Sequence, residues 1–403
     1  MSARPHKTGL VLAGGAARGA YEAGVLAYLI EEVCPDIGVA MPAQLLAGTS
    51  VGALHACGLA ALADQPREAA ARLTRMWTGL RLGDVLGANV RHFGRMLARL
   101  VLGRRPATAL FDSAPLARLL GDTIPFARIA HNVDTGLVGA LSLTATHVAS
   151  GHSVVFTQRS AAPLPAWRSR RMPVAHACDI TLDHALASAA VPLLFPPVRI
   201  DGQLYCDGGL RQLVPLSPAL ELGADALVVI IPRQSTPAAE PADPARERAY
   251  GSPLYLLGKT LDALLLDHLD EDVERLQQLN AVLHAGTRRY GASFVHELND
   301  GMGWPMHALR PVEVVTVRAS HDLGAMAADH VRSARFTSGC GLAAEALRRV
   351  ADLEGSRETD LVSYLLFDGD YAAQLVELGR GDARARHEEL CTLLGRARVR
   401  AVH

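Results

Sequence analysis

A serine flanked by glycines is the residue in this sequence best suited to nucleophilic chemistry. It stands in the segment Gly48-Thr49-Ser50-Val51-Gly52, which follows an apolar stretch typical of a buried strand and precedes a stretch of helical composition. Gly48 and Gly52 have no side chains, so strand and helix can approach closely while the Ser50 hydroxyl points outward. The pattern favours acyl transfer through Ser50. A chance match in a chain rich in glycine and alanine stays open on this segment alone.

A second glycine-rich turn lies near the N-terminus, between a predicted strand at 8–13 and a predicted helix at 20–33. It reads Gly14-Gly15-Ala16-Ala17-Arg18-Gly19. Backbone N–H groups at a helix start form an anion site, for a phosphate or for the oxyanion of an acyl intermediate. A dinucleotide fingerprint needs glycine where Ala16 stands, and a phosphate loop needs a following Gly-Lys-Ser/Thr that is absent here. An oxyanion hole uses both turns together, and a plain tight turn is the alternative.

The activated serine also needs a base. Only Lys7 and Lys259 are present, which gives little support to a serine–lysine pair. Among 16 histidines, no late one follows an obvious strand end. Asp207 follows a predicted hairpin with its turn at Asp201-Gly202, and two glycines come next. We predict that Asp207 enters a cleft; a turn aspartate that caps its own loop is the alternative.

These segments resemble the motifs of the patatin-like phospholipases, a family of serine lipid acyl hydrolases. In order along the chain they are the glycine-rich loop 14–19, the turn 48–52, the segment Ala187-Ser188-Ala189-Ala190-Val191-Pro192, and Asp207-Gly208-Gly209. The resemblance spans residues 8 to about 232 and departs from the family at Ala16, which replaces a glycine. It implies an α/β fold of three layers (α/β/α) with a mixed, mainly parallel central sheet and additional C-terminal helices.

The resemblance also implies the residues of the active site. Ser50 is the expected nucleophile and Asp207 the expected base, in a dyad without histidine, and the motif glycines Gly48, Gly52, Gly208 and Gly209 support them. The expected oxyanion hole comprises Gly14, Gly15, Ala16, Ala17, Arg18 and Gly19. For the Arg18 side chain we favour packing on carbonyls of its own loop over contact with a lipid phosphate.

The implied function is hydrolysis of carboxylic esters in lipids, as a phospholipase A-type enzyme or a lysophospholipase or esterase, with no cofactor and no metal. A regulatory or binding protein that keeps the fold but hydrolyses little is one alternative. A histidine-dependent esterase of the α/β-hydrolase type is the other.

Charge, apolar runs and cysteine spacing limit the classes of protein to which this sequence can belong. A net charge of −1 gives no case for nucleic-acid binding. The N-terminus has no secretory pattern, and no apolar run reaches the ~20 residues of a membrane span. We therefore expect a cytoplasmic protein, peripheral at the membrane through a transient lipid contact. Six cysteines lack C-x-x-C spacing, so we expect reduced thiols with neither zinc nor disulfides.

The pattern along the chain predicts three parts. Residues 8–232 form the catalytic domain, 233–253 a linker or mobile loop rich in Pro, Ala, Glu and Ser, and 254–403 a mostly helical region. This last region is predicted to contain a long helix at 254–283, a strand at 312–317 that joins the main sheet, and short helices after 363. We expect it to act as cover or as a homodimer surface.

One predicted helix, 89–102, has the character of a lipid-binding segment. It places Arg91, Arg95 and Arg99 along one stripe and apolar residues along another. The alternative is a surface helix whose apolar stripe covers the core.

Overall fold

The computed structural model of the chain describes residues 6–86, 109, 111–160, 164, 174–212, 214–234, 269–303, 309–333, 336 and 360–402. Within these ranges, nine strands form one sheet. The predicted lipid-binding helix at 89–102 and most of the predicted linker at 233–253 lie outside them.

The strands are short and mostly buried. They are β1 (Thr8–Leu12), β2 (Leu45–Thr49), β3 (Ala140–His147), β4 (Ser153–Gln158), β5 (Val174–Ala177), β6 (Val198–Ile200), β7 (Gln203–Asp207), β8 (Ala226–Ile231) and β9 (Glu313–Arg318). Their order is β5-β4-β3-β2-β1-β8-β9, with β7 paired to both β3 and β6. The strands β3, β2, β1, β8 and β9 run parallel to their neighbours in this series, whereas β4 is antiparallel to β3. The predicted mixed, mainly parallel sheet is confirmed.

Helices cover both faces of the sheet. They are α1 (Gly19–Tyr28), α2 (Cys34–Ile37), α3 (Val51–Ala61), α4 (Pro66–Thr78), α5 (Leu82–Leu86), α6 (Ala114–Thr123), α7 (Arg128–Asp134), α8 (Leu182–Ser188), α9 (Leu216–Glu221), α10 (Leu269–Tyr290), α11 (Phe294–Gly301), α12 (Leu323–Arg332), α13 (Asp360–Leu365), α14 (Gly369–Ala385) and α15 (His387–Val402). A π-helical turn joins α1 to α2, and a 3-10 turn precedes α1. None of the helices in the described ranges is long and apolar enough to cross a membrane.

Alternating residues of the central strands explain the two covered faces. Leu10 and Leu12 of β1 belong to the larger core, which includes side chains of α1, α3, α4 and α14. Val11 faces the opposite way, into a second core completed by α9 and α10. This two-residue alternation of buried side chains is what a strand packed on both faces requires. The three-layer α/β/α arrangement is therefore confirmed.

The C-terminal helices differ from the prediction. The prediction of short helices after residue 363 is wrong, because α14 has 17 residues and α15 has 16. Helix α14 packs directly on α1, where Gly24 of α1 and Gly379 of α14 each face backbone of the other helix. Gly379 and Gly381 interrupt the apolar spacing that would have indicated one long helix. Tertiary packing on α1 compensates for their low helix propensity.

Candidate active site

Ser50 occupies a strained turn between β2 and α3. Its φ of 55° and ψ of −123° are unusual for a residue with a side chain, and such strain persists only where the surroundings enforce it. Glycines on both sides make the turn sterically feasible. A Cβ at Gly48 would collide with the carbonyl of Gly52, and one at Gly52 would collide with the carbonyl of Leu12. The spacing of the G-x-S-x-G segment thus follows from the contact between strand, turn and helix.

Strand β3 brings the end of β2 and the end of β7 together. Thr49, the last residue of β2, pairs with Thr144, and Asp207, the last residue of β7, pairs with the next residue of β3, Ala145. Strand β4 occupies the other edge of β3 at these positions, so β2 and β7 lie on the same edge. Because β2 runs parallel and β7 antiparallel to β3, their C-terminal ends meet head to head. Ser50 and Asp207 therefore leave the sheet at neighbouring positions.

The end of α8 holds the backbone of both residues. The Ser50 N–H donates to Ser188 Oγ at 2.9 Å, and Ser188 Oγ in turn donates to the carbonyl of Thr144 at 2.6 Å. Two residues later, the carbonyl of Ala190 accepts the N–H of Asp207 at 2.9 Å. Ser188 is fully buried. The Ala-Ser-x-x-x-Pro segment thus serves to position the two residues.

The carboxylate of Asp207 is almost fully buried, with 1% of the residue exposed. Its Oδ1 accepts the N–H of Gly209 at 2.6 Å. Burial raises the pKa of Asp207 to about 6, while the nearby Ser50 side chain and the Gly209 N–H oppose the rise. No described group meets regular hydrogen-bond geometry at Oδ2, although the Ser50 side chain is near enough to influence that pKa. A carboxylate with this pKa is mostly ionised at pH 7 and accepts a proton more readily than an ordinary aspartate.

The glycine-rich loop brings backbone N–H groups to the same region. Ala16, in left-handed conformation with φ of 49°, lines a pocket together with Ser50. The N–H of Arg18 donates to Gly15 O and that of Gly19 donates to Ala16 O, so both are used within the turn. Between described residues, no backbone hydrogen bond outside the helices and strands uses the N–H groups of 14–17. The loop is therefore a candidate oxyanion hole.

The side chain of Arg18 makes contacts that neither sequence interpretation anticipated. It is buried, its Nε donates to Ser363 Oγ at 2.8 Å, and its guanidinium lies 4.2 Å from the centre of the Tyr364 ring. Ser363 and Tyr364 belong to α13. The arginine thus ties the loop to the C-terminal region.

An apolar pocket opens beside Ser50 and contains about 610 Å³ of empty space, part of it open to solvent. Its walls come from α3, α4, α5, α6, α13 and the segment after α8. The C-terminal region contributes Tyr364, Leu365 and Phe367 to this wall, which the sequence analysis did not anticipate. Except for Ser50 and Tyr364, the lining is hydrophobic, so the pocket suits a hydrocarbon chain.

His55, the histidine nearest to the nucleophile in sequence, is engaged at both ring nitrogens. Trp77 Nε1 donates to His55 Nε2 at 2.8 Å, which leaves the proton on Nδ1 to donate to Glu22 Oε2 at 2.8 Å. Burial lowers the pKa of His55 to about 3 and raises that of Glu22 well above its usual range. Trp77 also lines the pocket. This network fixes the pocket wall and leaves His55 without a free nitrogen to serve as a base.

Sequence reasoning missed Ser188, the Glu22–His55–Trp77 network and the Tyr364–Phe367 wall. Ser188 had a signal, because it lies in the Ala-Ser-x-x-x-Pro segment. The other two depend on contacts distant in sequence. The predicted lipid surface of Arg91, Arg95 and Arg99 lies outside the described residues.

One protein family matches the sequence of this chain over the region that contains the site. A sequence profile of the patatin-like phospholipases matches residues 10–220, slightly more than half of the 403-residue chain. The chain belongs to the patatin-like phospholipase family. Family membership supports lipid acyl hydrolysis in general terms.

A solved structure of VipD from Legionella pneumophila is similar to the chain at 13% sequence identity and a TM-score of 0.35. The match covers 93% of this chain and 67% of VipD. A TM-score of this size carries no argument about function.

Proposed function

We propose that this chain hydrolyses carboxylic esters of lipids, as a phospholipase A-type enzyme or a lysophospholipase, through an acyl-enzyme on Ser50. The observation that carries the proposal is the meeting of Ser50, at a strained turn, with the buried carboxylate of Asp207 beside an apolar pocket. Family membership supports the same class of reaction.

Asp207 is the proposed base. Ser50 Oγ attacks the ester carbonyl carbon while its proton passes to Asp207, and the carboxylic acid then protonates the leaving alcohol as the ester C–O bond breaks. In the second half-reaction, water attacks the acyl carbon while its proton passes to Asp207. Asp207 then returns this proton to Ser50 Oγ as the bond between Oγ and the acyl carbon breaks, which releases the fatty acid and restores Ser50. The pKa of about 6 supports both roles, because the group is ionised at pH 7 yet binds a proton without a large energetic penalty.

Backbone N–H groups of the loop 14–17, together with that of Val51 at the start of α3, are the proposed oxyanion donors. Such donors act most strongly where water is excluded, and removal of one typically costs about 10²–10³ in rate. The Ser50 N–H is not among them, since it is already bound to Ser188 Oγ.

The apolar pocket is proposed to hold the acyl chain. A hydrophobic lining next to the nucleophile aligns the carbonyl by burying the attached hydrocarbon, at about 0.8 kcal/mol for each CH₂ group. We further propose transient contact with a lipid surface through Arg91, Arg95 and Arg99, and a homodimer through the C-terminal helices.

Two alternatives compete with this proposal. A binding protein that keeps the fold would have the pocket but no turnover. A histidine-dependent esterase would need a histidine at the Ser50 hydroxyl, and the partners of His55 speak against the nearest candidate in sequence.

Hydrolysis of a short-chain p-nitrophenyl ester by the purified chain tests the proposal. Wild type should release p-nitrophenol with saturation kinetics, and S50A should show only the background rate. Inactive wild type, with folding confirmed by circular dichroism, would favour the binding protein. Equal rates for wild type and S50A would show that the reaction does not depend on Ser50.

A further inference from the structure

Three side chains with metal-ligating atoms meet where α2 contacts α15. They are Asp36 of α2 and His387 and Cys391 of α15, whose ligating atoms all lie within 4.8 Å of one another. His387 and Cys391 are four residues apart, so both project from one face of the helix. None of the three has a role in the ester hydrolysis proposed above.

The two distances from His387 are close to those of a tetrahedral metal site. His387 Nε2 lies 3.1 Å from Asp36 Oδ2 and 3.3 Å from Cys391 Sγ. In a tetrahedral zinc site of usual bond lengths, the N–O and N–S edges measure about 3.4 and about 3.6 Å. These two edges need to change by only a few tenths of an ångström, and the ligating atoms of Asp36 and Cys391, which lie within 4.8 Å of each other, would close to about 3.6 Å around the ion.

One proton cannot join all three ligating atoms. Nε2 has either one proton or one lone pair, yet both a carboxylate oxygen and a thiol sulfur approach it. A proton on Nε2 can form a hydrogen bond to Asp36 but does not at the same time bind the sulfur of Cys391. A cation at the common centre satisfies all three atoms at once.

Tyr28 holds the imidazole in the orientation that a metal ligand needs. Its Oη lies 3.1 Å from His387 Nδ1, and the two rings meet edge to face with centroids 6.0 Å apart. A histidine that donates its Nδ1 proton to Tyr28 presents a lone pair on Nε2. Metal-bound histidines usually donate the proton on their second nitrogen to an acceptor, and the hydroxyl oxygen of Tyr28 can be that acceptor.

We propose that Asp36, His387 and Cys391 bind a zinc ion, with water as the fourth ligand. The mixture of thiolate, imidazole and carboxylate suits zinc rather than magnesium or calcium, which prefer oxygen ligands alone. The side chains of Asp36 and His387 are 62% and 30% exposed, which leaves a path for the ion. The ion would fasten the last helix to α2. This departs from the expectation of no zinc, which relied on the missing C-x-x-C spacing.

Cobalt(II) titration of the reduced, chelator-treated full chain tests the proposal. Wild type should bind one equivalent with the visible absorption of a tetrahedral site and a thiolate-to-cobalt charge-transfer band, both removed by zinc. In C391S the charge-transfer band should disappear. Zinc affinity should fall at least ~100-fold in C391S and H387A, about 10-fold in D36N, and ~10–100-fold in Y28F.

The matched control is C178S. Cys178 Sγ also contacts a histidine, lying 3.6 Å from His184 Nε2, and should contribute nothing to binding. Because C391S is nearly isosteric and Asp36 is exposed, these variants should fold, as circular dichroism would verify. The proposal is overturned if wild type shows no charge-transfer band, or if C391S keeps the wild-type band. Loss of the band in C178S instead would also overturn it. Metal binding is read without ester turnover, so the result is independent of the proposed hydrolysis.

Discussion

Ser188 accepts the backbone N–H of Ser50 at 2.9 Å and links it, through its own hydroxyl, to the carbonyl of Thr144. The proposed nucleophile is thus anchored to β3, the strand that also pairs with Asp207. A hydroxyl group can accept one hydrogen bond and donate another, so the single side chain of Ser188 makes both contacts.

Removal of this link should reduce turnover. S188A leaves the Ser50 N–H and the Thr144 carbonyl without their partner, which costs about 1–3 kcal/mol in stability. We expect kcat to fall at least ~10-fold with little change in KM, since the pocket is untouched. Steady-state kinetics on a soluble ester would measure both. S142A is the matched control, because Ser142 is equally buried on β3 but, among the described residues, its hydroxyl makes only a long contact, 3.4 Å from Thr157 Oγ1. Equal kcat values for S188A and S142A would show that the link is not needed.

The pH dependence of catalysis should report the ionisation of Asp207. Because the carboxylate form accepts the serine proton, kcat/KM should rise with pH, reach half its maximum near pH 6, and level off above pH 7. A pH–rate profile on the soluble ester, corrected for unfolding at each pH, measures this. A midpoint near 4, the ordinary value for aspartate, would contradict the effect of burial.

Burial of Asp207 should also lower the free energy of unfolding when its carboxyl group is ionised. Its raised pKa means that the folded chain binds the proton more tightly than the unfolded chain. Stability is therefore lost as pH rises from about 3.8 to about 6 and stays lower above that. D207N carries no charge, so above pH 7 it should be more stable than wild type by up to about 3 kcal/mol, with little difference below pH 4. Urea denaturation at both pH values gives the comparison. A variant equally or less stable at pH 8 would speak against the raised pKa.

Local sequence patterns predict the positions of Ser50 and Asp207, whereas only the resemblance to the family predicts that the two residues meet. Ser50 and its flanking glycines are recognisable because strand, turn and helix are consecutive in the chain. The approach of Asp207, 157 positions later, depends on the register of β3, where Thr144 and Ala145 receive two different strands. No local pattern encodes that register.

In the C-terminal region, too, local structure could be predicted from the sequence but contacts between distant residues could not. Val314 to Val317 alternate buried and half-buried residues, and the strand was predictable. The contacts of Ser363 and Tyr364 with Arg18 join residues about 345 apart, so sequence spacing carried no signal for the pocket wall. The cluster of Asp36, His387 and Cys391 was missed for the same reason.

The proposed lipid contact predicts a selective loss of membrane binding. Each arginine near an anionic surface contributes about 1 kcal/mol, so changing Arg91, Arg95 and Arg99 to glutamine should weaken binding to anionic vesicles by roughly 10²-fold. The loss should be larger at low salt. Vesicle co-sedimentation measures binding, and turnover of a soluble ester, which should stay unchanged, is the control. Unchanged vesicle binding would place the lipid contact elsewhere.

Labelling with a fluorophosphonate, followed by peptide mapping, tests the Ser50–Asp207 pair most directly. Such probes react with serines that are activated by a base and an oxyanion site. Wild type should carry a single adduct on Ser50, S50A should carry none, and D207N should react about 10²–10⁴ times more slowly because the base is lost. An adduct on another residue, equal labelling of S50A, or an unchanged rate in D207N would contradict the account.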